Sequence, residues 1–186
     1  MINLSVSNEA LLRAVSDLRS AQSKFPQAVA RAVNRTMDGM RTDAVKETSK
    51  KYFVKAGEVR KSISFREASA GNLMGAMVSR GKRQSLSHYQ ITPKKPKNNA
   101  RILGAVKREG GLKPLGDAFL VRVAGGKYTP VWRLGTEKWN VKYAISPSMP
   151  QIIKNEETVK AMQEGAERRF SLRMEHEINR ILEVLS

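Results

Sequence analysis

The chain has 186 residues, no cysteine, and 34 Lys and Arg against 17 Asp and Glu. That length can bury a core within one domain, and the lack of cysteine excludes disulfide frameworks, thiolate zinc sites and cysteine nucleophiles. A net charge of +17 indicates a polyanionic partner, either nucleic acid or an acidic protein surface.

The N-terminal residues Met1–Leu4 lack the basic start and the long apolar run of a signal peptide. No apolar run in the chain approaches the roughly 20 residues that a membrane-spanning helix needs. We therefore expect the protein to be made in the cytoplasm and to have no membrane partner.

The positive charge is concentrated in the middle of the chain. Residues 58–148 carry eighteen Lys and Arg against five Asp and Glu, whereas residues 1–57 carry ten against five and residues 149–186 carry six against seven. We interpret the chain as a single domain with three parts at these boundaries: a helical N-terminal part, a basic sheet part and a C-terminal helix.

Two helices are predicted after a short opening strand. The strand is indicated by the alternation of Ile2, Leu4 and Val6 with polar residues. Ser7 or Asn8 then caps a helix, which Pro26 ends unless the proline opens the next helix. Apolar residues spaced by three and four predict that next helix from Gln27 to about Lys51.

The period changes to that of strands after a short helical turn at Glu58–Lys61. Strands are predicted at Ile63 to Phe65 and at Leu73–Val78. Residues 79–101 are predicted to form a long basic loop, because two prolines three residues apart cannot lie in a central strand. The one strand candidate within this loop is Leu86–Ile91.

Four further strands are predicted before the last helix. The pair Gly125-Gly126 separates two β-like runs, which is typical of a hairpin. The predicted strands are Ile102–Val106, Ala118–Ala124, Tyr128–Leu134 and an edge strand at Trp139 to Ile145.

The chain is predicted to end in a long helix, which Asn155 caps and in which Glu156 and Glu157 occupy the first turn. Its apolar residues step by three and four: Val159, Met162, Ala166, Phe170, Met174, Ile178, Ile181 and Leu185. Helices, then a mainly antiparallel sheet, then a helix define an α+β fold.

Residue types that carry chemistry are sparse. The two histidines, His88 and His176, lack metal-ligand spacing, and neither a Gly-x-Ser-x-Gly elbow nor a phosphate-binding glycine loop is present. The spacing leaves an acid–base pair open among the five carboxylates of residues 58–148. A two-metal nuclease needs several convergent acidic residues in a region that is instead basic. We expect no catalytic residue, no metal site and no cofactor.

Two groups of residues are candidates for binding. The first would contact nucleic acid or an acidic partner, or would simply be a solvated surface: Arg80, Lys82, Arg83, Lys94, Lys95, Lys97 and Arg101. The second would form a subunit interface, although core packing under the last helix is the commoner role for its cluster Trp132, Trp139 and Tyr143; the full set is Trp132, Trp139, Tyr143, Phe170, Met174 and Ile178. Tyr89 is the only aromatic residue in the basic loop, which argues against base stacking.

Three stretches follow one another in a characteristic order. The first is Ala32-Val33-Asn34-Arg35-Thr36 with Met40-Arg41-Thr42 and the basic-aromatic run Lys50–Val54. The second is Ala118-Phe119-Leu120 answered, after two glycines, by Val131-Trp132-Arg133-Leu134-Gly135. The third is Ile145–Gln151, a Ser-Pro-Ser-x-Pro-Gln turn ahead of the last helix.

In this order, from about residue 26 to 165, the stretches resemble the phage minor tail protein Z family. Ser146 replaces a glycine of the family pattern, and Lys138–Lys142 replaces its Arg-Leu-Pro-Ile run. The resemblance implies a structural virion protein at the head-proximal end of the tail. It also implies a homo-oligomeric ring, often six-fold in related proteins, between the tail terminator and tube and the head connector, with phage DNA passing through it.

Two other functions stay open at this stage. A non-specific DNA-binding module without an assembly role is indicated by the charge alone and would bind duplex in a strongly salt-dependent way. A nuclease would require metal-dependent cleavage of DNA.

Overall fold

A computed structural model describes residues 8–123, 126–138 and 140–183, with the backbone alone for residues 8–15 and for Leu18. The predicted strand at Ile2–Val6 lies outside the described residues, as do Gly125, Trp139 and Leu185.

The described residues form four helices, most of which the spacing of apolar residues and the capping residues predict. They are α1 (Asn8–Lys51), α2 (Ala56–Ser62), α3 (Met149–Ile153) and α4 (Glu156–Glu183). The predicted end of α1 at Lys51 and the predicted start of α4 after Asn155 are confirmed. The short helix α3 was not predicted, although its Ser148-x-x-Gln151 spacing is a helix-start signature: Gln151 Oε1 accepts a hydrogen bond from the Ser148 backbone N–H at 2.9 Å.

The strands form three small sheets instead of the one sheet expected. They are β1 (Ile63–Arg66), β2 (Ala76–Ser79), β3 (Gln90–Thr92), β4 (Leu103–Ala105), β5 (Lys113–Pro114), β6 (Phe119–Arg122), β7 (Tyr128–Arg133) and β8 (Val141–Tyr143). Their orders are β1-β2, β3-β4-β5 and β6-β7-β8. The α+β class is confirmed.

The predicted hairpin is confirmed. Strands β6 and β7 pair antiparallel, with Phe119 opposite Val131 and Arg122 opposite Tyr128. Strand β8 then adds antiparallel to β7 at the sheet edge, with Val131 opposite Tyr143. The second sheet is likewise antiparallel, with Ile91 of β3 opposite Gly104 of β4.

The predicted break at Pro26 is wrong, because α1 continues through this proline. An internal proline removes one backbone hydrogen bond and crowds the preceding turn, at a cost of about 3 kcal/mol. Ala28 and Ala32, in the turns after the proline, are fully buried. The packing of these two alanines stabilises a continuous helix at Pro26, where the local sequence favours a break.

The predicted strand Leu73–Val78 is wrong in its first half, since β2 begins only at Ala76. The side chain of Asn72 explains the difference: its Oδ1 accepts a hydrogen bond from the Met74 backbone N–H at 3.1 Å, which extends the preceding turn. Leu73 and Met74 are consequently exposed.

The predicted strand Leu86–Ile91 is also only half right. A 3-10 turn occupies Leu86–His88, and the strand β3 follows it. Ser85 starts the turn by accepting a hydrogen bond at its Oγ from the Ser87 backbone N–H at 3.2 Å. The short strand β5 was not predicted, because two residues carry no periodicity.

The chain divides into two compact units. Unit 1 comprises Met1–Met40, Phe65–Val78 and Gln163–Ser186, and unit 2 comprises Arg41–Ser64 and Ser79–Met162. Unit 2 contains the two three-stranded sheets, around a core that includes Val59, Val131 and Ile152. The single-domain interpretation stays a prediction.

In unit 1, α1 and α4 lie side by side and antiparallel. Arg31 binds the Oε2 of Glu177 through Nε at 2.8 Å and Nη2 at 2.6 Å. Eight residues further along α1, a Cβ added to Gly39 would meet the side chain of Arg169, eight residues earlier in α4. These two contacts set the register of the helix pair.

Replacing Glu177 with Gln tests the ion pair. Hydrogen bonding from Arg31 lowers the pKa of Glu177 below its usual value. A lowered native-state pKa stabilises the fold above the unfolded-state pKa of about 4.3, and this stability is lost as the pH falls through the native-state pKa. We expect Glu177→Gln to cost about 1 kcal/mol at neutral pH, since Arg31 is partly solvent-screened.

Urea unfolding measured from neutral pH down to about pH 3 checks this, because the difference between Glu177→Gln and wild type should disappear at the acid end. The exposed Glu175→Gln on the same helix is the control. A cost that stays constant with pH would contradict the assigned ion pair.

A second stability test uses two glycines of unit 2. Gly104 lies buried in β4, where an added Cβ would stand 2.9 Å from Leu86 Cδ2 and 3.1 Å from Leu115 Cδ1. Gly57 in α2 has no atom within 4 Å of such a Cβ. Gly104→Ala should lower the free energy of unfolding by about 1–3 kcal/mol through overpacking. Gly57→Ala should raise it by about 0.5–1 kcal/mol through helix propensity. Equal effects would show that the core around β4 is loosely packed.

Candidate nucleic-acid interface

The positive charge of the chain belongs almost entirely to unit 2. This unit carries twenty-four Lys and Arg against eight Asp and Glu, a net charge of +16. Unit 1 carries ten against nine. One unit is therefore strongly basic and the other is nearly neutral. The division of the sequence into residues 1–57, 58–148 and 149–186 shows this difference in charge only in part.

A cleft of about 520 Å³ in unit 2 gathers part of this charge. Five segments that are distant in sequence build it: the α1–α2 connection with the start of α2, the 3-10 turn with β3, the loop after β3, the residue Arg108 after β4, and the β6–β7 turn. Its basic side chains are Lys55, Lys94, Lys95, Arg108 and Lys127, and its one carboxylate is Glu58. We call this set the basic cleft.

The position of Arg108 is set by three contacts. Its backbone N–H donates to the Lys51 carbonyl oxygen at 2.8 Å, and its Nε donates to the Ser49 carbonyl oxygen at 3.0 Å. Its guanidinium lies 4.7 Å from the centre of the Phe53 ring, within cation–π distance. The cation is thus pre-positioned at the cleft, and no carboxylate of the described residues forms an ion pair with it.

Three further polar side chains line the basic cleft, and they differ in how fully they are hydrogen-bonded: His88, Glu58 and Tyr89. The His88 Nδ1 lies 3.7 Å from Glu58 Oε1, while Glu58 Oε2 is buried and has no hydrogen-bond partner among the described residues. Burial raises the pKa of Tyr89 above its usual value, and its hydroxyl donates to the Pro147 carbonyl oxygen at 3.3 Å. Tyr89 therefore remains a neutral structural donor at ordinary pH.

The chemistry that this arrangement offers is phosphate contact. Lys and Arg side chains neutralise backbone phosphates without reading base sequence. Of the three Phe and Tyr side chains that line the cleft, Phe53 has Arg108 over one face of its ring, Tyr89 is buried and Tyr128 is half-buried, so no row of open aromatic faces is present for stacking successive bases. The basic cleft thus fits a sequence-independent polyanion.

The structure brings together only some of the predicted basic residues. Lys94 and Lys95 line the basic cleft, whereas Arg83 lines a second cleft of about 460 Å³ elsewhere in unit 2. The remaining predicted basic residues are exposed and line neither cleft: Arg80, Lys82, Lys97 and Arg101.

The predicted interface residues fall into both units. Trp132 and Tyr143 line the second cleft of unit 2. The Trp132 Nε1 donates a hydrogen bond to the Leu115 carbonyl oxygen at 2.8 Å, whereas the Tyr143 residue is 46% exposed. Phe170, Met174 and Ile178 lie on α4 in unit 1. Trp139 lies outside the described residues. Whether any of these residues forms an interface stays a prediction.

Sequence reasoning missed three cations of the basic cleft: Lys55, Arg108 and Lys127. These three residues lie far apart along the chain, and none belongs to the basic loop of residues 79–101. No charge run marks them, and only the tertiary fold brings them to Lys94 and Lys95. The Arg108 backbone N–H bond to Lys51 is the contact that a sequence pattern could not show.

Two absences within the described part of the chain are relevant to function. These residues contain no group of three or more His, Asp or Glu that could hold a metal ion. Within the same residues, none of the helices is both long and apolar enough to span a membrane.

Comparison with known proteins gives one match. The sequence model of the family described as prophage minor tail protein Z (GPZ) matches residues 9–186, nearly the whole chain. Neither the curated proteins nor the solved structures gave a significant match.

Proposed function

This chain belongs to the prophage minor tail protein Z family, a family of structural phage tail proteins, and from that membership we propose that it acts at the head-proximal end of the tail. Copies of the chain form a ring there, and phage DNA passes through it. The family match over residues 9–186 carries the tail assignment, and the +16 charge of unit 2 supports the contact with DNA.

DNA that moves through a ring needs weak contacts that are indifferent to sequence. Lysine and arginine contacts to phosphate meet this need, because they neutralise charge without hydrogen bonds to base edges. The basic cleft offers five such side chains against one carboxylate, so contacts of this kind dominate its lining. The chemistry of the cleft therefore suits DNA that moves through the ring better than DNA that is held at one base sequence.

The proposed partners follow from the position in the virion. The ring joins the tail terminator and tube to the head connector, and the protein lies in the host cytoplasm before assembly. We propose a structural role without catalysis: the family is not a known enzyme family, and the described residues bring together no metal-binding group.

The second candidate function is a non-specific DNA-binding module with no assembly role. The charge of unit 2 supports it, since +16 within one compact unit attracts any nucleic acid. It differs from the first proposal in one respect: the protein would bind DNA but would form no particle with tail partners.

Charge reversal in the basic loop separates these functions. We expect the triple variant Lys94→Glu, Lys95→Glu, Lys97→Glu to bind duplex DNA more weakly. The slope of log affinity against log salt should fall by about one for each phosphate that the variant no longer neutralises. Fluorescence anisotropy over a salt series measures both quantities. The matched control is Arg19→Glu, Arg35→Glu, Arg66→Glu, which changes the net charge equally at exposed residues of unit 1.

Electron microscopy of the same variants with tail partners completes the test. Ring particles that form normally while DNA binding is abolished would support the proposed contact with DNA. Failure to form particles with intact DNA binding would instead assign the loop to a protein neighbour. A wild-type chain that binds DNA yet stays monomeric with tail and neck partners at high concentration would support the second candidate function.

A further inference from the structure

Exposed apolar side chains are concentrated in unit 1. Of the eleven large apolar side chains that are exposed in the described part of the chain, seven lie in this unit, and four of those lie on α4. Three of the four, together with the half-buried Met174, are spaced by four residues along one ridge of the helix: Phe170, Met174, Ile178 and Leu182. Leu172, which is 66% exposed, lies on a different face.

We propose that two copies of this chain associate through this α4 ridge, antiparallel and around a twofold axis. Rows of side chains spaced by four residues form ridges on a helix surface, which pack against the surface of a neighbouring helix. Twofold association needs a surface that complements itself. The ridge meets this requirement in both shape and charge.

The shape argument concerns the spacing of the ridge about its midpoint at residue 176. In an antiparallel pair centred there, Phe170 faces Leu182 of the partner subunit, and Met174 faces Ile178 of the partner subunit. Every exposed apolar residue of the ridge therefore meets another, and the fractions now open to solvent, 37% for Phe170, 40% for Ile178 and 58% for Leu182, become covered.

The charge argument concerns the two halves of the same helix stretch. Residues 167–173 contain three arginines and one glutamate, whereas residues 174–183 contain one arginine and three glutamates. An antiparallel pair places the basic half of one copy beside the acidic half of the other, and a parallel pair would place like charges together. Unit 1 carries ten Lys and Arg against nine Asp and Glu, so little net repulsion opposes its self-association.

The twofold contact is independent of the proposed ring. An isologous contact closes on itself and cannot continue around a ring, which needs a heterologous contact between other surfaces. Loss of the pair with rings intact, or loss of rings with the pair intact, would therefore separate the two proposals.

Sedimentation of the full chain over a concentration series tests the proposal. Wild type should show a monomer–dimer equilibrium, and Ile178→Asp should weaken it at least about tenfold, because a carboxylate would be buried against apolar side chains. Leu172→Asp, the same change at a more exposed position on another face, should dimerise like wild type. Circular dichroism confirms that the helix content is unchanged.

A charge-exchange experiment tests whether the basic half of one copy attracts the acidic half of the other. The variant Arg168→Glu, Arg173→Glu makes both halves acidic, and the variant Glu175→Lys, Glu183→Lys makes both halves basic. Each alone should dimerise more weakly than wild type, and a one-to-one mixture should recover the dimer. A monomeric wild type at high concentration, a dimer that Ile178→Asp leaves unchanged, or coverage of the ridge by another tail protein alone would overturn the proposal.

Discussion

The uneven distribution of charge between the two units is the constraint on which the rest of the molecule depends. Sixteen uncompensated positive charges in unit 2 repel one another, and this repulsion opposes the compact state of any isolated domain of this size. A polyanion relieves it by replacing bound counterions. The near neutrality of unit 1, with ten Lys and Arg against nine Asp and Glu, leaves that body suited to contacts with other protein surfaces.

The basic cleft shows how the fold holds cations close together without pairing each with an acid. Arg108 is anchored through two backbone carbonyl oxygens, which accept from its Nε and its backbone N–H, and through the face of Phe53, and these contacts leave its charge intact. In unit 1 the opposite arrangement occurs: Glu177 accepts two hydrogen bonds from Arg31, and the charges cancel inside the helix pair. These two arginines therefore play different roles in the two units, which hold similar numbers of arginine, nine in unit 1 and eight in unit 2, and the excess charge of unit 2 comes from its lysines.

Local signals in the sequence predicted most of the elements. The three- and four-residue spacing of α4 and the glycine pair between β6 and β7 were sufficient, because a long period and a tight turn need no distant partner. Pro26 misled because buried alanines in the following turns override a local helix breaker. The basic cleft could be predicted only at Lys94 and Lys95. Its other cations lie in three separate segments of the sequence and meet only when α1, β4 and the β6–β7 turn are assembled.

Cross-linking inside the assembled particle tests most directly the claim that the charge of unit 2 faces DNA. A photo-reactive amino acid would replace Lys95 of the basic cleft in phage particles that contain DNA, with the same replacement at exposed Leu172 of unit 1 as the control. The account predicts a protein–DNA adduct from position 95 and none from position 172. Adducts from position 95 with neighbouring proteins alone would contradict it.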